Sequence, residues 1–457
     1  MFKAICNSAT SPPLDRRGVT LMEVLIAMFV MSVGLLGLAA LIPLGRWQIE
    51  EAKRIDRGAA LGRAAFRDMV SRNYLDLDNW VYCTPTFGER SVFDNGSNQF
   101  RLPPASDTSL RASMRPPNAP LVFDPLMVAA NAGDSSTLAA VSTFPYELPG
   151  TPTALVEWSG APRLARTTLL DVRFGLGGSG GGSGGSSTPN WLMTLASADR
   201  YFRAEDDLEF SEPRETGNRK PGRLFSLIQV KGNSGSPYSS LGNGQSKGDF
   251  TWFAVVAPSR LEALGSVGAL SSSSLYGPRQ TTQYSVTVVV CHKRNLQSLQ
   301  DVTYENRSQE LRMRGERRAY FEFLSRADPS MGSSEAWMTM SGMQSKGEAE
   351  EATNLKGGEW VMITARVPTP DTSGDLITHA EWFRVLSVGR GVEPAPNGEN
   401  AYRRRVRLTS NTWCFPAASS SGGGGGTLAP GYAVIVHGVC GVYRKTLMAD
   451  HSGAWTD

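Results

Sequence analysis

One stretch limits the folds open to this chain more than any other. Val24 to Leu44 reads VLIAMFVMSVGLLGLAALIPL, 21 residues without a charge. At helical rise it extends about 30 Å, the thickness of a bilayer's hydrocarbon core. No other segment of the 457 residues matches it, so one span and one large remainder are predicted. The residues before it do not read as a secretory leader, which places its apolar core ahead of the cleavage site. Here residues 1–18 are mostly polar, contain Pro12-Pro13 and end in Arg16-Arg17-Gly18, and the apolar core follows the glycine. One acid, Glu23, stands at the edge of that core. An unpaired acid in mid-membrane costs about 2.5–3.5 kcal/mol, so Glu23 is predicted to have a partner.

The string Arg16-Arg17-Gly18-Val19-Thr20-Leu21-Met22-Glu23, leading into an apolar helix, resembles the class III signal of type IV prepilins and pseudopilins. Its extension, Thr20 to Ala27 and Ser32 to Leu41, is most similar to PilV-type minor pilins. The resemblance implies that a prepilin peptidase cuts between Gly18 and Val19, that the new amine of Val19 is methylated, and that Glu23 neutralises a terminal amine during assembly. It also implies the partners: the peptidase, other pilins or pseudopilins through the N-terminal helix, an inner-membrane assembly platform and membrane lipid. Val19 departs from the Phe or Met usual in the family, which bears on methylation more than on cleavage. The physics agrees. A cut after Gly18 puts a positive amine four peptide bonds from Glu23, at a helix N-terminus whose dipole also favours the acid. In a filament core of low dielectric, such opposite charges set register between subunits.

Basic residues in the leader, Lys3, Arg16 and Arg17, assign it to the cytoplasm and the large C-terminal part to the opposite side, although Arg46, Lys53, Arg54 and Arg57 follow the span. Beyond the span, Ala52, Ile55, Ala59, Phe66, Met69 and Leu77 fall near one helical face. A helix from about Leu21 to about Tyr74 is predicted, bent or loosened at Pro43. Gly58 and Gly62 stand four apart, Gly34 and Gly37 three apart, spacings that permit close helix contact without requiring it.

The predicted organisation is a leader at 1–18, the helix at 19–80 with its span at 24–44, a loop-rich part at 81–176, a Gly/Ser linker at 177–189 and a β-rich head at 190–457. Strands are predicted at Ala154–Trp158, Leu169–Phe174, Leu224–Val230, Trp252–Val256, Tyr284–Cys291, Trp360–Val367, Trp382–Val388, Arg403–Thr409 and Tyr432–His437, the last continuing through Tyr443. Glu310–Leu324 is predicted to be a charged helix. The fold class is therefore α+β: a long N-terminal helix, transmembrane in its first half, packed on an antiparallel sheet, pilin-like with large loop insertions.

Net charge is +3, and loss of the leader's Lys3, Arg16, Arg17 and Asp15 leaves +1, so no polyelectrolyte partner follows from the total. The glycine tract at 177–185 ends in Ser186-Ser187-Thr188-Pro189 and lacks the Lys-Ser or Lys-Thr of a phosphate loop. Cys83, Cys291, Cys414 and Cys440 remain after cleavage. The family resemblance favours a disulfide between Cys414 and Cys440, closing the loop with a second glycine tract, Gly422 to Gly426; a buried thiol at Cys440 is the alternative. Cys291-His292 and His437-x-x-Cys440 lack the paired spacing of structural zinc sites, so no metal or other cofactor is predicted. No histidine stands in a catalytic motif, and the chain is predicted to be no enzyme. Arg403, Arg405 and Arg407 alternate along one strand face; a solvated strand edge guarded against aggregation is preferred to nucleic-acid binding, for want of interleaved aromatics. The expected role is a minor pilin that primes, caps or decorates a type IV pilus, located in the cytoplasmic membrane and then in the filament. Two rivals are a minor pseudopilin of a type II secretion system and a pilus-tip adhesin or DNA-binding module.

Overall fold

A computed structural model of the chain describes residues 20–72, 74, 79–83, 93–94, 99–100, 120–132, 138, 141–146, 164–169, 192–204, 250–258, 283–294, 296, 315–324, 333–340, 345–368, 376–396, 401–409, 431–449 and 455–456. The chain divides into two compact units, residues 1–56 and 57–457. Helix α1 (Leu21–Ser71) begins in the first and ends in the second, and it runs through Pro43 without interruption.

In the first unit the helix starts where Thr20 supplies a cap. The Glu23 amide donates to Thr20 Oγ1 at 3.4 Å and to the Thr20 carbonyl at 3.0 Å. With Glu23 three residues on, Thr20-x-x-Glu23 has the pattern of a capping box. Leu25, Phe29, Leu36 and Ile42 are all exposed, and the helix is long and apolar enough to cross a membrane.

The second unit holds the other helices, α2 (Pro125–Ala130), α3 (Leu195–Phe202) and α4 (Lys346–Ala352). Its strands up to the middle of the chain are β1 (Trp80–Tyr82), β2 (Phe93–Asp94), β3 (Gln99–Phe100), β4 (Leu121–Phe123), β5 (Thr143–Phe144), β6 (Leu164–Leu169), β7 (Arg203–Ala204), β8 (Phe250–Pro258) and β9 (Gln283–His292). After these come β10 (Glu316–Phe323), β11 (Glu335–Met340), β12 (Trp360–Pro368), β13 (Leu376–Val388), β14 (Glu393–Pro394), β15 (Tyr402–Leu408), β16 (Gly431–Val436), β17 (Val439–Ala449) and β18 (Trp455–Thr456). Apart from the small β2–β3 hairpin, they form two sheets.

The first sheet runs β1-β6-β4-β8-β9-β17-β18, with β5 beside β6 and β7 beside β8. It is antiparallel except for β4 and β6. Its central strands are covered on both faces, which explains why β9 reads as an almost unbroken apolar run. One face carries α2, α3 and the end of α1, around a cluster in which Trp80 stacks on Phe123 at 4.8 Å and Phe202 lies 4.8 Å from Trp252.

The second sheet closes on itself. β11, β10, β16, β12, β13 and β15 pair in that order, and β15 pairs back to β11 from Glu335↔Arg407 to Met340↔Tyr402. The result is a six-stranded antiparallel barrel with β14 attached. Small and large side chains fill it, Ala319 and Ala336 beside Phe321, Met338 and Phe383. Near α4, Arg317 donates to the Glu351 carbonyl at 3.2 Å and Arg404 to the Thr353 carbonyl at 3.2 Å, so two guanidiniums satisfy carbonyls at that helix's C-terminus.

β9 and β17 are direct neighbours, paired from Val439↔Cys291 to Met448↔Gln283, and the barrel is built from the chain between them. A third apolar cluster, including Phe253, Val289, Met362 and Val434, joins the barrel to the first sheet. Beside it lie four buried charged groups. Arg166 donates to Glu316 at 2.7 and 2.9 Å and stands 3.3 Å from Asp124. Arg294 donates to Asp124 at 3.0 and 2.6 Å and to Glu316 at 2.9 Å. Asp124 also caps α2 through the Met127 amide, at 3.3 Å.

Glu310–Leu324 is corrected by this architecture. Residues 316–323 are a strand because Ala319, Phe321 and Phe323 alternate into the barrel; positions 310–314 lie outside the described residues. The α+β class, a long N-terminal helix with an antiparallel β head, is what the chain has; the head carries two sheets, and only β4 and β6 pair in parallel among the described strands. The strands predicted at 154–158 and 224–230, positions 170–174, and both glycine tracts lie outside the described residues.

Burial alone would raise the Asp124 carboxyl, but the guanidiniums of Arg294 and Arg166 outweigh it and hold the group below the usual aspartate range. The stabilisation from Asp124 is therefore complete above the unfolded value of about 3.9 and is lost as pH falls through the lower folded value. Asp124→Asn keeps a cap acceptor and removes the charge. It should cost about 3 kcal/mol near neutral pH, and the gap from wild type should close in acid, read by denaturant unfolding of the detergent-solubilised protein through tryptophan fluorescence.

Candidate functional site

The candidate site is the N-terminal helix and the place where it enters the head. Glu23 lies in the first turn of α1, exposed, and is the only acid from Thr20 to Ile49. Its position combines a capping pattern with a favourable helix dipole. Gly18 and Val19 lie outside the described residues. Gly34, Gly37 and Gly45 have nothing within 4 Å of the position a Cβ would take.

Gly58 and Gly62 differ sharply from those three. Burial along α1 begins at Gly58 and recurs at Gly62, Ala65 and Met69, a spacing of four, three and four that marks one helical face. A Cβ on Gly58 would lie 2.7 Å from the sulfur of Cys440, and one on Gly62 would overlap the ring of Tyr443. Both partners are on β17, so the paired glycines let the helix lie directly on that strand. The spacing was visible in the sequence; the partner strand, nearly 400 residues away in the chain, was not.

Cys440 donates to the Val290 carbonyl at 3.3 Å, across the β9–β17 pair. Its expected disulfide partner, Cys414, lies outside the described residues. Cys83 and Cys291 are buried, and burial pushes both thiols well above their ordinary range, as suits core packing rather than reactivity. Cys291 faces the core between sheet and barrel, whereas His292 lies 5.0 Å from the ring of Phe250 on the other face. His437 is exposed at the turn before Gly438, whose φ of 80° suits glycine. Among the described residues no three His, Cys, Asp or Glu side chains gather as metal ligands. Arg403, Arg405 and Arg407 share the outer face of β15, where Arg403 pairs with Glu393 at 2.8 Å and both others reach Glu335.

Comparison with known families gives one match: residues 14–39 fit the prokaryotic N-terminal methylation motif. The match covers the expected cleavage point, Glu23 and the first part of the apolar helix. No curated protein matches the chain. The motif is a type IV prepilin-like class III signal, and with the long helix and α+β head it makes the protein pilin- or pseudopilin-like.

Gly62→Leu tests the helix seat. Forcing a side chain against Tyr443 should destabilise the head by about 1–3 kcal/mol, whereas Gly34→Leu should leave head unfolding unchanged; tryptophan-detected denaturation of both variants measures the contrast.

Proposed function

We propose that this protein is a minor pilin of the PilV type, a structural subunit that enters, primes or caps a type IV pilus after processing. The observation that carries the reading is the methylation motif at 14–39 running into a helix whose apolar side chains are exposed on every side. Exposed apolar surface of that extent is stable only against lipid or neighbouring helices. Lipid serves the subunit before assembly, and other pilin helices serve it afterwards. The head then lies outside the cytoplasm, with the leader inside.

In this reading cleavage after Gly18 frees the amine of Val19, which is methylated. Glu23 meets a terminal amine as the subunit enters the filament, where an unpaired carboxylate would be costly. The open surroundings of Gly34 and Gly37 leave room for close approach by neighbouring helices.

Mass spectrometry of the N-terminal peptide, on protein from cells with an active prepilin peptidase, should find a terminus at Val19 carrying one added methyl group. An intact Met1 would overturn the reading. Glu23→Val should accumulate in the membrane and be missing from sheared filaments; wild-type incorporation of that variant would remove the role given to the acid.

A further inference from the structure

We propose that the outer face of the barrel across β13, β15 and β11 binds the phosphate backbone of nucleic acid. The first observation concerns the strand itself. β15 is hydrogen-bonded to β11 on one side and to β13 and β14 on the other. Edge protection therefore does not account for three arginines along it, because the strand has no free edge to guard.

The second observation is charge. Arg403, Arg405 and Arg407 face outward from β15, and β13 adds Arg384, whose side chain donates to the Gly358 carbonyl at 3.2 Å. The bend after β13 adds Arg390, exposed next to Gly389, whose amide donates to the Arg405 carbonyl at 2.8 Å. Among the described residues these five guanidiniums pair with two carboxylates, Glu335 and Glu393, and with Glu322 exposed on β10 opposite Trp337 the face keeps an excess of two positive charges. Arg405 and Arg407 divide Glu335 between them and are each more than half exposed. Ion pairs this open are weak, so a phosphate oxygen can replace the carboxylate at little cost.

Spacing and rigidity select the ligand. Alternate residues of a strand are about 6.8 Å apart, comparable to the separation of consecutive phosphates along an extended nucleic-acid strand. A guanidinium fork takes phosphate oxygens two at a time. Pairing on both sides holds the row in place, and Trp337, 4.2 Å beneath the Arg403 guanidinium, fixes its first member. No aromatic residue stands between Arg403 and Arg407, and the neighbouring strand supplies one. Contacts of this kind read backbone charge and carry no base specificity.

The test uses the detergent-solubilised full chain and fluorescence anisotropy of a labelled mixed-sequence oligonucleotide, single-stranded and duplex. With three phosphates neutralised, log affinity against log salt should have a slope of about −2 for the single strand and −3 for the duplex, between about 50 and 200 mM. Changing Arg403, Arg405 and Arg407 together to Gln should weaken binding at least about tenfold at the lower salt and flatten the slope, whereas the three Lys changes keep most of it. Arg63→Gln with Arg67→Gln, exposed on α1, should change neither. If the triple Gln protein loses the parent's near-UV circular dichroism, the single changes Arg405→Gln and Arg407→Gln take its place, each reducing the slope by about one. No binding at about 50 mM salt, or equal losses in the α1 control, overturns the proposal. Tighter binding of polygalacturonate than of either oligonucleotide also overturns it and assigns the face to acidic polysaccharide.

Discussion

Two carboxylates and two guanidiniums, all removed from water, fix the barrel to the sheet that carries it. Asp124 follows β4, Arg166 lies on β6, Arg294 follows β9 and Glu316 opens β10. Charges buried one at a time would be prohibitive; two of each sign, bonded crosswise at 2.6 to 3.0 Å, are tolerable because every charge meets its opposite. The surrounding rings contribute further, with Arg294 4.6 Å from the centre of Phe253 and Arg166 5.4 Å from that of Phe144. An apolar contact alone permits sliding. These bonds have direction, so they set the angle at which the barrel meets the sheet as well as the fact that it does.

That constraint matters because of where the barrel is inserted. β9 and β17 would make an ordinary hairpin if the chain between them were short. Instead, that chain leaves at His292, builds a closed barrel and returns at Val439, with the His292 amide donating to the Gly438 carbonyl at 2.7 Å where exit and return meet. Arg294 and Glu316 flank the way out, so the charged group ties down the barrel close to its point of insertion. The first sheet, with the end of α1 on one face, is thus a frame, and the barrel is carried by it. Closure removes the barrel's edges, so those six strands offer no open edge at which another chain could pair.

How much of this was legible follows from what kind of contact made each element. Strands β8, β9, β12, β15 and β16 stand out because their apolar residues are local and continuous or alternating, and burial on one or both faces leaves that mark in the sequence. The same rule failed at β10, where Glu316, Arg317, Arg318 and Glu322 give a charged stretch that reads as a helix until the partners of Ala319, Phe321 and Phe323 are known. The buried ion group left no mark at all. Asp124 and Arg294 are 170 positions apart, and a lone charged residue in a sequence reads as surface. The N-terminal signal was legible because basic residues, acid and apolar run are adjacent in the chain, whereas the Thr20 cap rests on a hydrogen bond that the letters alone do not display.

The two parts of α1 differ in whether they contribute to the core. From Thr20 to Arg57 no described residue is buried, so this stretch adds nothing to a core of the chain. From Gly58 onward the same helix is part of the largest apolar cluster, with Ala65 and Met69 inside it and Leu61 and Phe66 packed against it. A helix that did both jobs with the same residues would force compromise, since a face shaped for β17 differs from one shaped for lipid or neighbouring helices. Here the division falls along the sequence, with glycines whose faces are open on the free part and glycines filled by Cys440 and Tyr443 on the seated part. Substitutions before Arg57 therefore leave the head's stability intact, and substitutions after it act on the head first. Glycine thus has opposite meanings at Gly34 and Gly62, and only the local packing tells them apart.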